Sequence, residues 1–118
     1  MGLVLWIDQN TFSTSLLEKV FKTQKLEFYT IGSAKDFSYL VDDLRPQVLV
    51  LDAATVVSEL ESFKLQYEAS EALKTLPVIL IESREEELGF LANVVGKIER
   101  PFDPFQIPEK LKQILSVN

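Results

Sequence analysis

The chain has 118 residues, of which 47% are hydrophobic and 25% charged, so it fits one compact domain covering residues 1–118. Its net charge of −6 would repel phosphate backbones and anionic lipids, which argues against nucleic acid or a membrane surface as a partner. Cysteine and histidine are absent, which excludes disulfides and the usual zinc sites and catalytic triads. No apolar run reaches the roughly 18 residues that span a bilayer, and the start lacks a signal-peptide pattern, so we expect a cytoplasmic protein.

Apolar runs of strand length alternate with segments of helical period from one end of the chain to the other. The predicted strands cover residues 3–7, 26–31, 48–52, 77–81 and 97–100. Apolar residues at helical spacing predict helices over residues 11–23, 34–44 and 53–73, a short helix around residues 88–92 and a last helix through residues 107–115. The predicted inward stripe of the first helix is Phe12, Leu16, Val20 and Phe21, with Leu17 beside them. This alternation is typical of a parallel α/β sheet.

Small polar residues mark the expected starts of several helices. Ser33 predicts the cap of the second helix. Ser83 with Glu86 forms a capping-box pattern for the fourth helix, and the Asp103-Pro104 pair predicts the start of the last helix.

Charged side chains stand at the ends of four predicted strands. Asp8 follows the first strand, Asp52 ends the third, Glu82 follows the fourth and Arg100 ends the fifth. Because the carboxyl ends of parallel strands meet at one edge of an open sheet, where such folds place their sites, we expect one charged cluster there. An aspartate at a strand end also satisfies local backbone amides in turns and helix caps. The sequence is therefore compatible with two roles for Asp8 and Asp52, membership of a functional cluster and local capping of the backbone.

Two aromatic residues have different expected surroundings. Trp6 lies in a central strand and is expected in the core, where its indole N–H needs one buried acceptor. Phe90 lies off the Leu88-Leu91 stripe, so it is either an exposed docking residue or folded back onto the core. Gly96 predicts the end of this short helical region.

The order of five strands alternating with five helices resembles the response-regulator receiver domain over the whole chain. The residues that frame the strands agree with the pattern of that family: Ile7-Asp8, Arg45-Pro46, Pro77-Val78-Ile79 and Pro101-Phe102. The resemblance implies a CheY-like, flavodoxin-like fold, in which a doubly wound parallel sheet of strand order 2-1-3-4-5 and five helices form a three-layer α/β/α sandwich. It also implies that the Arg100-Pro101 bond is a cis peptide bond.

The resemblance assigns a role to each position of the charged cluster. Receiver domains carry a phospho-accepting Asp at the end of strand three, here Asp52, and an acidic pair at the end of strand one, here Asp8-Gln9. In the family Mg²⁺ lies between these groups with oxygen ligands and several waters, so the metal positions are Asp8 and Asp52. Glu82 stands where the family has a hydroxyl that donates to the phosphoryl group, and Arg100 stands where it has a lysine.

Several of these positions depart from the family pattern. Gln9 replaces a carboxylate, which weakens the field on Mg²⁺, and Glu82 brings a negative charge toward the phosphoryl position. Arg100 replaces the compact ammonium of a lysine with a planar guanidinium, whose several N–H groups suit hydrogen bonding to carboxylates. We therefore expect a Glu82–Arg100 ion pair, with Arg100 also within reach of Asp52. Lys97 occupies the place of the family's switch aromatic and cannot report phosphorylation by burying a ring.

These departures favour a pseudo-receiver, a degenerate receiver domain that signals by binding a partner such as a kinase, an effector or a larger polypeptide, without a conventional phosphorylation cycle. No cofactor and no enzyme activity are expected, and the expected interaction surface is Phe90, Val94 and Lys97. The alternative is a receiver that accepts a phosphoryl group on Asp52 with Mg²⁺. A third hypothesis, a small flavodoxin-like enzyme that binds a nucleotide or a flavin, lacks the glycine-rich phosphate loop after the first strand.

Overall fold

A five-stranded parallel sheet forms the centre of the molecule. The computed structural model describes residues 1–117. The strands are β1 (Val4–Ile7), β2 (Phe28–Ile31), β3 (Val48–Asp52), β4 (Val78–Ile81) and β5 (Val94–Ile98). Their order in the sheet is β2-β1-β3-β4-β5, and all neighbouring pairs are parallel. The sheet order that the resemblance implied is confirmed.

Helices cover both faces of this sheet. Within the described residues they are α1 (Thr11–Thr23), α2 (Ser38–Leu44), α3 (Ala53–Val57), α4 (Leu60–Ala69), α5 (Glu71–Thr75), α6 (Glu85–Leu88) and α7 (Ile107–Val117). A short 3-10 turn, Pro104–Gln106, leads into α7. Across residues 1–117 no helix combines the length and the apolar character that crossing a bilayer requires.

Two hydrophobic cores lie on opposite faces of the sheet. Successive strand residues point to opposite faces, so Leu49 and Leu51 belong to one core and Val48 and Val50 to the other. Helices α2 to α6 contribute to the first core, whereas α1 and α7 contribute to the second. Strands β1, β3 and β4 are buried along their whole length. For this reason their sequences are continuous apolar runs, as expected for parallel strands covered on both faces.

Helix α1 has the predicted bounds but a different inward face. Its buried face runs through Thr14, Leu17 and Phe21, which follow one another at steps of three and four. Phe12 is 76% exposed and Leu16 36% exposed, because both residues are rotated away from that face. The prediction is therefore wrong for Phe12 and Leu16, whereas Leu17, Val20 and Phe21 are buried as predicted.

Helix α2 begins at Ser38, later than predicted. The Ser33 hydroxyl donates to Glu59 Oε2 at 2.8 Å and accepts from the Lys35 amide at 3.1 Å, so it closes a turn instead of capping a helix. Asp36 has a left-handed φ of 50°, a conformation that a right-handed helix does not contain. The helix starts only after this turn.

The third predicted helix is divided into α3, α4 and α5. The Ser58 hydroxyl donates to the carbonyl of Thr55 at 2.7 Å, and the Ser70 hydroxyl accepts from a backbone amide of α5 at 3.2 Å. Such bonds from short polar side chains compete with a continuing helix. The prediction of one helix is wrong. Of the four apolar residues whose spacing predicted its inward face, Val56, Leu60, Phe63 and Tyr67, all except the half-buried Leu60 are buried.

The region between β4 and β5 differs most from the prediction. The capping box does not form: the N-cap of α6 is Arg84, and the buried Ser83 hydroxyl has no hydrogen-bond partner among residues 1–117. Strand β5 begins at Val94, earlier than predicted, so Gly96 lies inside a strand. A Cβ atom at Gly96 would lie 2.6 Å from Ile114 Cγ2. A glycine here lets α7 approach β5 closely.

Candidate functional site

The four charged residues predicted from the strand ends meet at the carboxyl edge of the sheet. Asp8 directly follows β1, Asp52 is the last residue of β3, Glu82 directly follows β4, and Arg100 lies shortly after β5. Hydrogen bonds join all four into one group, which we call the Arg100 cluster. The sequence-based expectation of a single charged cluster agrees with this geometry.

Arg100 is the centre of the cluster. Its Nη2 lies 2.8 Å from Asp8 Oδ2, and its Nη1 lies 3.2 Å from Asp52 Oδ1. The side chains are 26% exposed for Arg100, 0% for Asp8 and 9% for Asp52. One guanidinium therefore bridges two buried carboxylates with two different nitrogens, a geometry that an arginine fork allows and a lysine ammonium does not.

The remaining carboxylate oxygens are also hydrogen-bonded. Asp8 Oδ1 accepts from the backbone amide of Asn10 at 2.9 Å, and Asp8 Oδ2 also accepts from the Trp6 indole at 3.3 Å. Asp52 Oδ2 accepts from both the amide and the hydroxyl of Thr55, at 3.1 and 2.6 Å, and so caps α3. Asp52 is thus a helix cap and a member of the charged cluster at once.

Thr55 and Trp6 also contact the site, although the sequence pattern indicates no role in it for either residue. The Thr55 hydroxyl accepts from the backbone amide of Gln9 at 3.0 Å while it donates to Asp52. The spacing of three residues from Asp52 to Thr55 is the signal that could have identified this contact, since a capping aspartate bonds a residue of the first turn. Trp6 is fully buried, as expected, and the acceptor that its indole requires is Asp8.

The contact between Glu82 and Arg100 differs from the predicted ion pair. Glu82 Oε1 accepts from the backbone amide of Arg100 at 3.0 Å, whereas the guanidinium pairs with Asp8 and Asp52. Glu82 has a left-handed φ of 58°. The two aspartates are more deeply buried, and a buried carboxylate without a cation is costlier than a partly exposed one. The prediction of a Glu82–guanidinium pair is wrong, and the prediction that Arg100 reaches Asp52 is confirmed.

The guanidinium of Arg100 also contacts an aromatic ring. Its guanidinium carbon lies 5.5 Å from the centre of the Phe102 ring, within the range of a cation–π contact. The Arg100-Pro101 peptide bond is cis, as the resemblance implied. An apolar groove next to the guanidinium is lined by Phe12, Leu16 and Phe102.

The three residues of the expected interaction surface do not form an exposed apolar patch. Phe90 is half-buried, and its ring centre lies 6.1 Å from that of Phe63 and 5.6 Å from that of Tyr67. Val94 packs against the same core. Phe90 is therefore folded back onto the core, which is the second of the two interpretations that the sequence left open.

Lys97, at the position of the switch aromatic, points to solvent. Its Nζ lies 2.6 Å from Glu85 Oε1, with side-chain exposures of 45% and 77%. The hydrogen bond from Lys97 and its positive charge lower the pKa of Glu85 below the ordinary value. Both groups remain in water, so the pair contributes little to stability.

The Arg100 cluster does not fit a divalent metal as it stands. The guanidinium is bonded to Asp8 Oδ2 and Asp52 Oδ1, so a cation that bound these two oxygens would have to displace it. Gln9, the other family position, is exposed. Within residues 1–117, no group of three or more acidic side chains is arranged to hold a metal ion.

Solved structures similar to this chain are receiver domains. A response regulator from Desulfuromonas acetoxidans has a TM-score of 0.78 and 12% identity, over 99% of this chain and 98% of that one. The chemotaxis response regulator CheY4 of Vibrio cholerae has a TM-score of 0.75 and 18% identity, over 97% and 98%. The receiver domain of a Pseudomonas aeruginosa sensor histidine kinase, with magnesium coordinated in its active site cleft, has a TM-score of 0.74 and 14% identity, over 98% and 99%.

These similarities define the class of fold. No protein-family model matches the sequence, and no curated protein matches it. The chain has the fold of response-regulator receiver domains, with the strand order and the two helical layers of that fold.

Proposed function

We propose that this chain is a receiver-like signalling module that acts by binding a protein partner, without a conventional phosphorylation cycle at Asp52. The observation that carries the proposal is that both carboxylate oxygens of Asp52 already have partners, Arg100 on one side and Thr55 on the other. To accept a phosphoryl group, one of these oxygens must attack phosphorus. An oxygen held in a charge-assisted hydrogen bond is a weaker nucleophile, because the bond stabilises the carboxylate that must react.

Glu82 adds an electrostatic argument. Its carboxylate is bonded to the backbone amide of Arg100 at the carboxyl edge of the sheet. An acyl phosphate on Asp52 would bring negatively charged phosphoryl oxygens into the same region. Phosphoryl transfer depends on groups that neutralise this charge, and a second carboxylate does the opposite.

The partner and the setting form part of the same proposal. A net charge of −6 favours a protein partner over nucleic acid or a membrane. We place residues 1–118 in one domain, in the cytoplasm, with no enzyme activity of its own. A kinase, an effector or a larger polypeptide would fit this description.

The test is exposure to a small phosphodonor. Wild-type protein with Mg²⁺ and acetyl phosphate, or with a beryllofluoride mimic of the acyl phosphate, should show no stoichiometric mass increase and no saturable change of the amide signals around Asp52. Stoichiometric modification that disappears in Asp52→Asn would contradict the proposal and establish the phospho-accepting alternative. That alternative is favoured by the position of Asp52 at the end of β3 and by its contact with a cation.

A gain-of-function variant adds a case in which a response to beryllofluoride is expected. The triple variant Glu82→Thr, Arg100→Lys and Gln9→Asp supplies the family hydroxyl, the compact ammonium and the second acid. We expect it to respond to beryllofluoride. The same triple variant with Asp52→Asn is the matched control and should not respond. A triple variant that folds and stays silent would show that other features of the site prevent phosphorylation.

A further inference from the structure

We infer that Arg100 is the resident cation of this site and takes the place of a divalent metal. Its guanidinium lies between Asp8 and Asp52, where a metal ion would have to bind. The inference deepens the proposed function and rests on the same cluster. It concerns the cation and not the phosphoryl group, so the two can be tested separately.

The hydrogen bonds leave two oxygens for a cation. Asp8 Oδ1 is taken by the Asn10 amide, and Asp52 Oδ2 is taken by Thr55. Asp8 Oδ2, which also accepts from the Trp6 indole at 3.3 Å, and Asp52 Oδ1 remain. Each of them accepts from one nitrogen of the guanidinium, at 2.8 and 3.2 Å. One of the two negative charges that a divalent metal would neutralise in this space is therefore already neutralised by an internal group.

Displacing Arg100 from this position would be unfavourable. The guanidinium would have to leave two buried carboxylates and remain close to an incoming divalent cation, because its backbone amide is bonded to Glu82 and Phe102 lies beside it. Like charges at short range in a poorly hydrated space repel strongly. A lysine in this position has a flexible stem and a single nitrogen, so it can share the space with a metal more easily.

Removal of the guanidinium should therefore create a metal site. In Arg100→Ala, Asp8 Oδ2 and Asp52 Oδ1 would keep their positions, since Asn10 and Thr55 still hold the opposite oxygens. Two carboxylates supplemented by waters are a ligand set that Mg²⁺ and related hard cations accept. In this variant an exchangeable metal ion would replace the guanidinium as the cation between Asp8 and Asp52.

The first measurement is a Mn²⁺ titration followed by paramagnetic broadening of amide signals. In the wild type we expect no saturable broadening around Asp8 and Asp52 at millimolar Mn²⁺. In Arg100→Ala we expect saturable broadening there, with binding at least about tenfold tighter than in the wild type. Lys97→Ala is the matched control, because it removes a cation near the same end of the sheet that pairs with Glu85 outside the cluster. It should behave as the wild type.

The second measurement is thermal stability with and without Mg²⁺ at constant ionic strength. The melting temperature of the wild type should not change with Mg²⁺. That of Arg100→Ala should fall below the wild type and then rise by about 5 °C at saturating Mg²⁺. Adding Asp52→Asn to Arg100→Ala should abolish this rise, since one of the two ligands is then neutral. Arg100→Gln provides a second test if the alanine variant folds poorly.

Three outcomes would overturn the inference. The first is saturable Mn²⁺ binding at Asp8 and Asp52 in the wild type. The second is a folded Arg100→Ala or Arg100→Gln that binds no metal at this site, and the third is failure of both variants to fold at any Mg²⁺ concentration. Wild-type protein that binds Mn²⁺ but accepts no phosphoryl group would overturn this inference and leave the proposed function standing. Phosphorylation of Asp52 would overturn the proposed function whatever the metal titration shows.

Discussion

At the scale of single residues, Thr55 connects the Arg100 cluster to the end of β1. It is completely buried, and its hydroxyl donates to Asp52 Oδ2 at 2.6 Å while accepting from the Gln9 amide at 3.0 Å. Its backbone amide bonds the same carboxylate oxygen. One hydroxyl thus satisfies a buried acceptor at the end of β3 and a partly buried donor in the loop after β1, which uses its donor and one of its acceptor positions.

Thr55→Val tests this role. The change keeps the branched shape of the side chain but removes both hydroxyl bonds, so the Gln9 amide loses its partner and Asp52 loses a donor. We expect a loss of about 1–3 kcal/mol in the free energy of unfolding, measured by urea denaturation. Thr75→Val is the control, since the Thr75 hydroxyl bonds exposed carbonyls of its own helix, and it should cost at most about 0.5 kcal/mol. Equal losses in the two variants would contradict the role assigned to Thr55.

The sequence could predict the members of the cluster and the contact between Arg100 and Asp52, but not that the second partner of the guanidinium is Asp8 and not Glu82. Asp8, Asp52 and Glu82 all end strands, so each was a possible partner for Arg100. The choice depends on burial, because the guanidinium stabilises most the carboxylates that water reaches least. Burial at that level follows from the packing of loops from distant parts of the chain, which the local pattern does not contain.

At the scale of secondary-structure elements, Gly96 determines how closely α7 packs on β5. A Cβ atom at this position would meet Ile114 Cγ2 at 2.6 Å and Ile114 Cδ1 at 3.1 Å. Both distances are shorter than ordinary contacts between carbon atoms. Any side chain at Gly96 must therefore push α7 outward or force Ile114 into another rotamer.

We expect Gly96→Ala to destabilise the domain by about 1–3 kcal/mol, the range for overpacking, as measured by urea denaturation. Gly32→Ala is the matched control, because a Cβ there would have its nearest neighbour at 3.8 Å. If the clash with Ile114 is the cause, Ile114→Ala should cost less in the Gly96→Ala background than in the wild type. Additive losses would contradict this explanation.

Phe90 links the α6 region to α4. Its ring packs against Phe63 and Tyr67, and Lys64 Nζ lies 5.2 Å from its centre. Phe90→Ala should therefore lower the free energy of unfolding by about 1–3 kcal/mol, since it removes part of an aromatic cluster. Phe105→Ala, at a side chain that is 73% exposed, should leave the melting temperature nearly unchanged. A stable Phe90→Ala variant would return Phe90 to the role of a docking residue.

At the scale of the whole molecule, the sheet was easier to predict than the helices. Strands buried on both faces leave long apolar runs in the sequence, and the strand order followed from the family resemblance. Helix boundaries on the α2 to α5 side depend on contacts between distant segments. Gln66 Oε1 accepts from the amides of Phe37 and Ser38 at 2.8 and 2.9 Å, so the start of α2 is stabilised from α4. A pattern read over a few neighbouring residues does not include such a bond.

The indole of Trp6 has a practical consequence for optical measurements. It is the only tryptophan in the chain, it is fully buried, and its N–H bonds Asp8 Oδ2, the same oxygen that holds Arg100. The tryptophan emission of the protein, excited selectively over that of its three tyrosines, therefore comes from one indole that is hydrogen-bonded to the cluster. Because indole emission responds to nearby charge and hydrogen bonding, the protein contains an intrinsic, label-free reporter of any event that changes the partners of Asp8.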